Sequence, residues 1–336
     1  MTDATRDGGR HLVAALSTMR AFRIHAWGEL PRLEEVATPV PGPDEVLVAT
    51  SASVVSHLDV TVASGEFPVR PDLPYIPGVE GAGRVVAWGD EVRDAAVPVG
   101  GITRLYGSGL GTRRPGCWAE FVTVPARSLR PVPEGLSPAA GAAIGSSGLT
   151  AWSALFLVGE FDPATRLGVT GATGAVGSLT VGFALAAGAA APVAFVRTMR
   201  QAGSFPATVE VLPLDRGRDA PASGPLDLLV DTIGGGALAD RIGWIRPGGT
   251  LVLVGYTAGT QVAIDLPALL SSDVRILPVN MMRRSQGSRA IEAEILAQAA
   301  SGQVTIATET VSPGDMAAGL ARLAQGQVEG RLVVAW

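Results

Sequence analysis

The 336-residue chain contains no lysine, so all 26 of its basic residues are arginine. Schiff-base chemistry at a lysine and the phosphate-binding lysine of a Walker A loop are therefore excluded. A single cysteine, Cys117, excludes an intramolecular disulfide and any multi-cysteine metal site. The chain is suited to a reducing cytoplasm, and that is its expected location. Only three histidines are present: His11, His25 and His57. The net charge of −5 gives no global electrostatic footprint for nucleic acid or an anionic membrane, and neither is an expected partner. Near the N-terminus the apolar piece Leu12–Leu16 is shorter than the roughly 7–15 residues of a signal-peptide core. Export is not expected, and residues 1–18 read as an extension.

Hydrophobic residues make up 47% of the chain, enough for a large core, and at about 150 residues per domain the length predicts two domains. The organising stretch is Thr165–Arg200. Its apolar run Leu167–Thr170 stops at Gly171, Gly174 and Gly177, a G-x-x-G-x-x-G turn, followed by a helical pattern over Leu179–Ala187 and a strand over Pro192–Val196. Such a turn lets backbone approach a pyrophosphate, and the next helix offers free N–H groups and its positive dipole end. Thr173, Ala175 and Val176 share this turn. Where an NAD-specific protein places an acidic residue, this sequence has Arg197, Thr198 and Arg200. An acid repels a 2′-phosphate and arginine forks onto one, so NADPH is the expected cofactor. The uncharged run Leu167–Val196 has the length of a membrane span, but its six glycines, its proline and its alanine-rich content point to a buried βαβ unit instead.

The remainder falls into two textures. Short strands broken by Gly and Pro run from Met19 to about Ser137, among them Glu45–Ser51 and Gly83–Trp88. From Pro138, strand and helix patterns alternate: Leu226–Asp231 as strand, Ala237–Ile245 as helix and Thr250–Gly255 as strand, the signature of a parallel sheet. Amphipathic helices over Ser288–Ala300 and Asp315–Gln325 and a last strand over Arg331–Trp336 return the chain to the first domain. Expected are a catalytic domain of residues 19–137 and 285–336, a nucleotide domain of residues 138–284, and a site in the cleft between them.

The stretches PGPDEVLV (Pro41–Val48), SHLDVTVASGEFP (Ser56–Pro68), LPYIPGVEGAGRVVAWGDEV (Leu73–Val92), GCWAEFVTVP (Gly116–Pro125), GLTAWSAL (Gly148–Leu155), VTGATGAVG (Val169–Gly177), LVDTIGG (Leu229–Gly235) and GRLVV (Gly330–Val334) occur in this order. On them the chain resembles the medium-chain dehydrogenase/reductase superfamily, in its zinc-independent quinone oxidoreductase and enoyl reductase branch. The resemblance covers about Met19–Trp336. It implies an α/β fold with a GroES-like β-rich catalytic domain plus a Rossmann doubly wound parallel-sheet domain binding NADP. It also implies cofactor contacts from Thr150, Gly255, Tyr256 and Thr257, and a homodimer joined near Arg275–Asn280. Zinc enzymes of the superfamily hold their metal with Cys, His and Cys; the aligned residues here are Ser56, Val79 and Ser146. That set is a poor match for zinc, and no metal is expected.

Within the branch, this sequence departs at Ser56 and Thr61, where Asn and Tyr are common, and at VGGITRLYG (Val99–Gly107) in place of G-D-R-V. The implied activity is reduction of an activated C=C bond or a quinone, with Ser56, His57, Thr61 and Tyr106 as the polar catalytic candidates. His57, Tyr106 and solvent stand open as proton sources. A cyclase or isomerase on the same scaffold, or a non-enzymatic NADPH-binding protein, are the alternatives.

Overall fold

A computed structural model describes residues 17–215, 217, 219–284 and 288–336. The expected extension thus lies, up to Leu16, outside the described residues, as do Ser285–Gly287 at the expected return to the catalytic domain. The chain divides into two compact units, one of residues up to Ser146 together with Ala307–Trp336, the other of Ser147–Ile306.

In the first unit a two-stranded antiparallel ribbon, β1 (Thr18–Arg23) and β2 (Arg32–Ala37), accompanies a larger sheet. That sheet is built on β3 (Glu45–Val55), which leads directly into helix α1 (His57–Ala63). The following strands β4 (Glu80–Trp88), β5 (Ile102–Tyr106), β6 (Phe121–Pro125) and β7 (Arg130–Pro131) precede helix α2 (Pro138–Trp152). β3 pairs antiparallel with both β4 and β6, and β5 lies on the far side of β4. Val46 and Val48 of β3 close a core with Val85, Leu105, Val122 and Val124, all buried. Val55, at its other end, packs with Phe22, Trp118, Leu332 and Val334. Each such side chain contributes about 1.5–3 kcal/mol by leaving water. β3 is longer than the pattern Glu45–Ser51 predicts because Ala52–Val55 pair with residues of the C-terminal strand Arg331–Ala335 that lie 277 or more positions away and are invisible to local reading.

The second unit is a six-stranded parallel sheet. Its strands are β8 (Leu167–Thr170), β9 (Val193–Val196), β10 (Glu210–Pro213), β11 (Leu226–Asp231), β12 (Ile245–Leu253) and β13 (Arg275–Pro278), in the spatial order β10-β9-β8-β11-β12-β13. β8 and β9 are buried at every position, which explains their uncharged sequences. From β8 the chain winds outward in one direction to β10, then resumes at β11 and winds outward in the other. The switch between β8 and β11 opens the crevice at which parallel sheets bind ligands.

Helix α3 (Ala175–Ala186) begins four residues before the predicted start, since Gly174 is its N-cap. At 12 residues it is too short to span a bilayer. The helical stretch Pro138–Val158 is long and apolar enough by composition, but 72% of its apolar window is buried within the protein. The pattern over Ala237–Ile245 is a four-residue helix, α4 (Leu238–Arg241), that tightens into a 3₁₀ turn at Ile242–Trp244. Trp244 then stacks on Phe195 of β9 at 4.4 Å between ring centroids. Helix α5 (Arg289–Ala300) belongs to this unit, with Val304 just beyond it packed against Gly182 of α3. This packing draws residues 288–306 into the nucleotide unit and moves the chain's return to Ala307. The final elements, β14 (Thr308–Val311), α6 (Met316–Ala324) and β15 (Arg331–Ala335), complete the first unit.

Candidate active site and nucleotide site

The glycine turn after β8 has the geometry its spacing predicts. Gly171 has φ +57°, and a Cβ there would lie 2.5 Å from Thr232 Oγ1. A Cβ on Gly177 would lie 2.2 Å from the Gly171 carbonyl oxygen. Both positions require glycine for the turn to close on the helix. Gly174 caps α3 without a side chain, so the first-turn N–H groups of Ala175, Val176 and Gly177 receive no side-chain oxygen from the cap. The turn is braced from the neighbouring strand. The Thr232 hydroxyl donates to the Thr170 carbonyl at 2.7 Å, and the Thr232 N–H donates to Thr170 Oγ1 at 3.1 Å.

The loops after β11 and β12 also lock together. Ala258 N–H donates to the Ile233 carbonyl, and a Cβ on Gly255 would fall 2.1 Å from the Thr232 carbonyl oxygen. This holds Gly255, Tyr256 and Thr257 beside the switch point, with Tyr256 exposed. Beneath them, buried Asp231 accepts from Gly234 N–H at 2.6 Å and pairs with Arg241 at 2.7 Å. Arg197, Thr198 and Arg200 follow β9 and are exposed. Gln201, which the sequence reading passed over, donates to Thr173 Oγ1 at 3.1 Å and accepts from Thr198 N–H at 3.3 Å, tying the arginine loop to the glycine turn. An uncapped helix N-terminus, a Cβ-free turn and an arginine loop fit a nicotinamide dinucleotide. Thr150 lies in the same unit, on α2.

In the first unit, Ser56 leaves β3 and becomes the N-cap of α1. The S-x-x-D spacing forms a capping box. Asp59 N–H donates to Ser56 Oγ at 3.3 Å, while the Asp59 carboxylate accepts from Ser56 N–H at 2.9 Å. Ser56 Oγ also donates to Asp59 Oδ2 at 2.6 Å, and Val79 N–H donates to Oδ1 at 2.9 Å. Asp59 is 1% exposed, and among the described residues it makes no ion pair. Burial raises its pKa to about 6, aided by the charge of Glu80, against the hydrogen bonds from Ser56 and Val79.

Glu80, next to Val79, is the second buried carboxylate. It accepts from Arg331 at 2.7 Å and from Ser146 N–H at 3.0 Å. Arg331 also donates to the Ala143 carbonyl and reaches Ser146 Oγ at 3.4 Å. α2 is kinked at Gly145, where a Cβ would meet Glu80 Oε2 at 3.3 Å and Arg104 Nη1 at 3.4 Å. The absent side chain lets the helix reach the carboxylate. Through Asp59 and Glu80, the structure brings Ser56, Val79 and Ser146 into one connected network.

The other candidates divide. His57 opens α1 with its side chain exposed, and desolvation by surrounding protein, then the charge of Arg331, holds its pKa below the ordinary histidine value. Tyr106, at the end of β5, stands opposite Glu80 in the strand register, with Arg104 5.9 Å from its ring centroid. Thr61 is not part of this network: its hydroxyl donates at 3.0 Å to the His57 carbonyl, one helical turn back. Cys117 is fully buried, and burial pushes its thiol up, so it is a core residue. Trp118 likewise belongs to the core, its indole N–H donating to the Val54 carbonyl at 2.9 Å. Asp59, Glu80 and Arg331 are not legible as site residues in the sequence; only Asp59 has a local signal, the capping-box spacing.

The zinc of the wider family does not fit these residues. Val79 offers no donor atom, Ser56 Oγ is engaged by Asp59, and neutral serine hydroxyls are poor zinc ligands. Among the described residues no group of three or more His, Cys, Asp or Glu side chains is placed to hold a metal ion.

Two family descriptions match the chain: "Alcohol dehydrogenase GroES-like domain" over residues 42–134 and "Zinc-binding dehydrogenase" over residues 206–334. An alcohol dehydrogenase of Moraxella sp. (strain TAE123) is 28% identical over 346 residues, covering 94% of this chain and 99% of that one. A Mycobacterium tuberculosis mycocerosic acid synthase-like polyketide synthase is 35% identical over 171 residues, which are 50% of this chain and 8% of that far longer protein. The solved structure of an NAD-dependent alcohol dehydrogenase is 25% identical with a TM-score of 0.83, covering 95% of this chain and 100% of the other. With the GroES-like sheet, the parallel nucleotide sheet and these matches in both halves, the chain belongs to the medium-chain dehydrogenase/reductase superfamily of oxidoreductases.

Proposed function

We propose that this oxidoreductase is an NADPH-dependent reductase of an activated C=C bond, as in an α,β-unsaturated carbonyl, or of a quinone, and that it works without a metal ion. The observation that carries the reading is the donor set Ser56, Val79 and Ser146. A metal-dependent alcohol dehydrogenase polarises an unactivated carbonyl with its zinc, and residues that cannot hold one favour a substrate that already accepts hydride.

Bound NADPH supplies the hydride. The backbone of Gly171–Gly177 and the start of α3 receive the pyrophosphate, and Arg197 and Arg200 read the 2′-phosphate, with Thr198 and Gln201 setting their loop. Thr150, Gly255, Tyr256 and Thr257 line the remainder of the dinucleotide. In the catalytic unit, His57 and Tyr106 offer hydrogen bonds to the oxygen that gains charge as hydride adds, and Ser56 is a further donor to the substrate. A second copy pairs along β13, the edge strand of the parallel sheet, to give a homodimer; light scattering showing a monomer at micromolar concentration removes that part.

Stopped-flow oxidation of NADPH against a panel of enones and quinones tests the function, with elemental analysis of the same preparation. The reading expects rapid oxidation by at least one panel member and no stoichiometric zinc. Alcohol oxidation with NAD⁺, lost on chelation, contradicts it.

A further inference from the structure

The two buried carboxylates of the catalytic unit are in different states of compensation. Glu80 is matched by Arg331 at 2.7 Å. Asp59, equally buried, is held by two backbone amides and one hydroxyl, that of Ser56. A capping box on a surface helix needs no such burial. An isolated buried carboxylate costs free energy that a neutral residue avoids, and here it stands directly behind a serine at a position where zinc relatives carry a metal ligand.

We propose that Ser56 and Asp59 form the proton relay of the reduction, Ser56 donating to the substrate and Asp59 reprotonating Ser56. The proposal rests on the reductase reading above. As hydride adds to the β-carbon, the electron pair of the C=C bond moves to the α-carbon and takes up a proton in the same step. The Ser56 O–H bond breaks as the new C–H bond forms at the α-carbon. The Asp59 carboxyl O–H breaks as the Ser56 hydroxyl is restored, and Asp59 regains a proton from solvent. Substrate, one hydride and one proton give the saturated product, so the step balances.

The geometry explains why the proton state of Asp59 controls Ser56. With Asp59 ionised, the 2.6 Å contact takes the serine hydrogen toward the carboxylate. With Asp59 protonated, the carboxyl donates across the same contact, and the serine hydrogen is released toward substrate. The titratable groups around Asp59 are His57 on its own helix, Glu80 at the start of β4, Tyr75 in the preceding segment and Cys117 ahead of β6. Arg331 of β15 acts through Glu80. Burial and the charge of Asp59 raise both Tyr75 and Cys117, so neither carries charge near neutrality. The lowered pKa of His57 leaves it mostly without a proton to give at neutral pH. The titration of Asp59 near 6 thus sets the working range of the relay.

Single-turnover NADPH oxidation by an enone, measured across pH in H₂O and D₂O, tests the proposal with the wild type and the variants S56A, S56T and D59N. NADPH binding by fluorescence checks that each variant is folded. The wild-type rate falls as pH rises through about 6 and shows a solvent isotope effect. S56A loses about a hundredfold or more in rate, as removal of a general acid does, and S56T restores most of it. D59N flattens the pH profile and leaves NADPH binding intact. Variants with the wild-type rate and profile overturn the relay, as does a D59N loss that is uniform across pH, which marks a capping role alone. A wild type that leaves NADPH unoxidised by every substrate removes the reductase reading itself; turnover with unaltered variants removes only the relay.

Discussion

Asp59→Asn separates burial from hydrogen bonding at the buried carboxylate network. In the folded protein the Asp59 pKa is raised from 3.8 to about 6, mainly by desolvation. Between these values the folded state holds a proton that the unfolded chain has released, so stability falls as pH rises through this window and is constant above it. The shift is about two units, and at about 1.4 kcal/mol per unit the ionised carboxylate costs roughly 3 kcal/mol at neutral pH. Asparagine escapes that penalty. Its oxygen still accepts from one backbone N–H, but its NH₂ group opposes the other donors, a loss of about 1 kcal/mol. D59N is therefore more stable than the wild type by about 2 kcal/mol at about pH 8, and less stable by about 1 kcal/mol at about pH 3. Urea denaturation of both proteins across this range gives the difference directly, and other carboxylates cancel in the comparison. A difference independent of pH refutes the reasoning. A wild type that gains on the variant as pH rises refutes it more strongly, since that slope belongs to a carboxylate with a depressed pKa.

Glu80→Gln removes the counter-charge of Arg331, which is 8% exposed, and lowers stability by about 3–5 kcal/mol; thermal denaturation no different from wild type shows that the pair is not buried as described. Arg197→Ala and Arg200→Ala each weaken NADPH binding about ten- to a hundredfold with little effect on NADH, measured by fluorescence titration, and equal weakening of both cofactors shows that these arginines do not read the 2′-phosphate. Gly177→Ala places a Cβ 2.2 Å from the Gly171 carbonyl oxygen and abolishes dinucleotide binding, whereas at Gly203 no atom lies within 4 Å of a Cβ and Gly203→Ala is silent; similar binding by the two variants contradicts the close approach of turn and helix.

What the sequence disclosed, and what it withheld, follows the range of the interactions concerned. Leu167–Thr170 and Leu226–Asp231 were legible as strands to the residue, because a strand buried on both faces is apolar throughout and ends at its glycine or turn. The start of α3 was misplaced by four residues: Ala175–Ser178 carry little helical periodicity, and their conformation is imposed by packing against Gly171. Ser56 is a candidate through the family resemblance, and His57 through its place at the start of a helix. Glu80 and Arg331 are not candidates on sequence, since their contact spans 251 residues. Asp59 was in view but unread, because its capping-box spacing is common and its burial comes from strands and loops elsewhere in the unit. Thr61 was singled out by position, and its hydroxyl is used by its own helix.

The central claim is hydride transfer from NADPH to a carbon of an activated substrate without a metal ion. Incubation of the chelator-treated protein with [4-²H]NADPH and each substrate it turns over, followed by mass spectrometry and NMR of the product, tests it most directly. The account predicts one deuterium at the β-carbon of a reduced enone, with the α-hydrogen drawn from solvent. A product free of deuterium, or turnover abolished by chelation and restored by zinc, contradicts it.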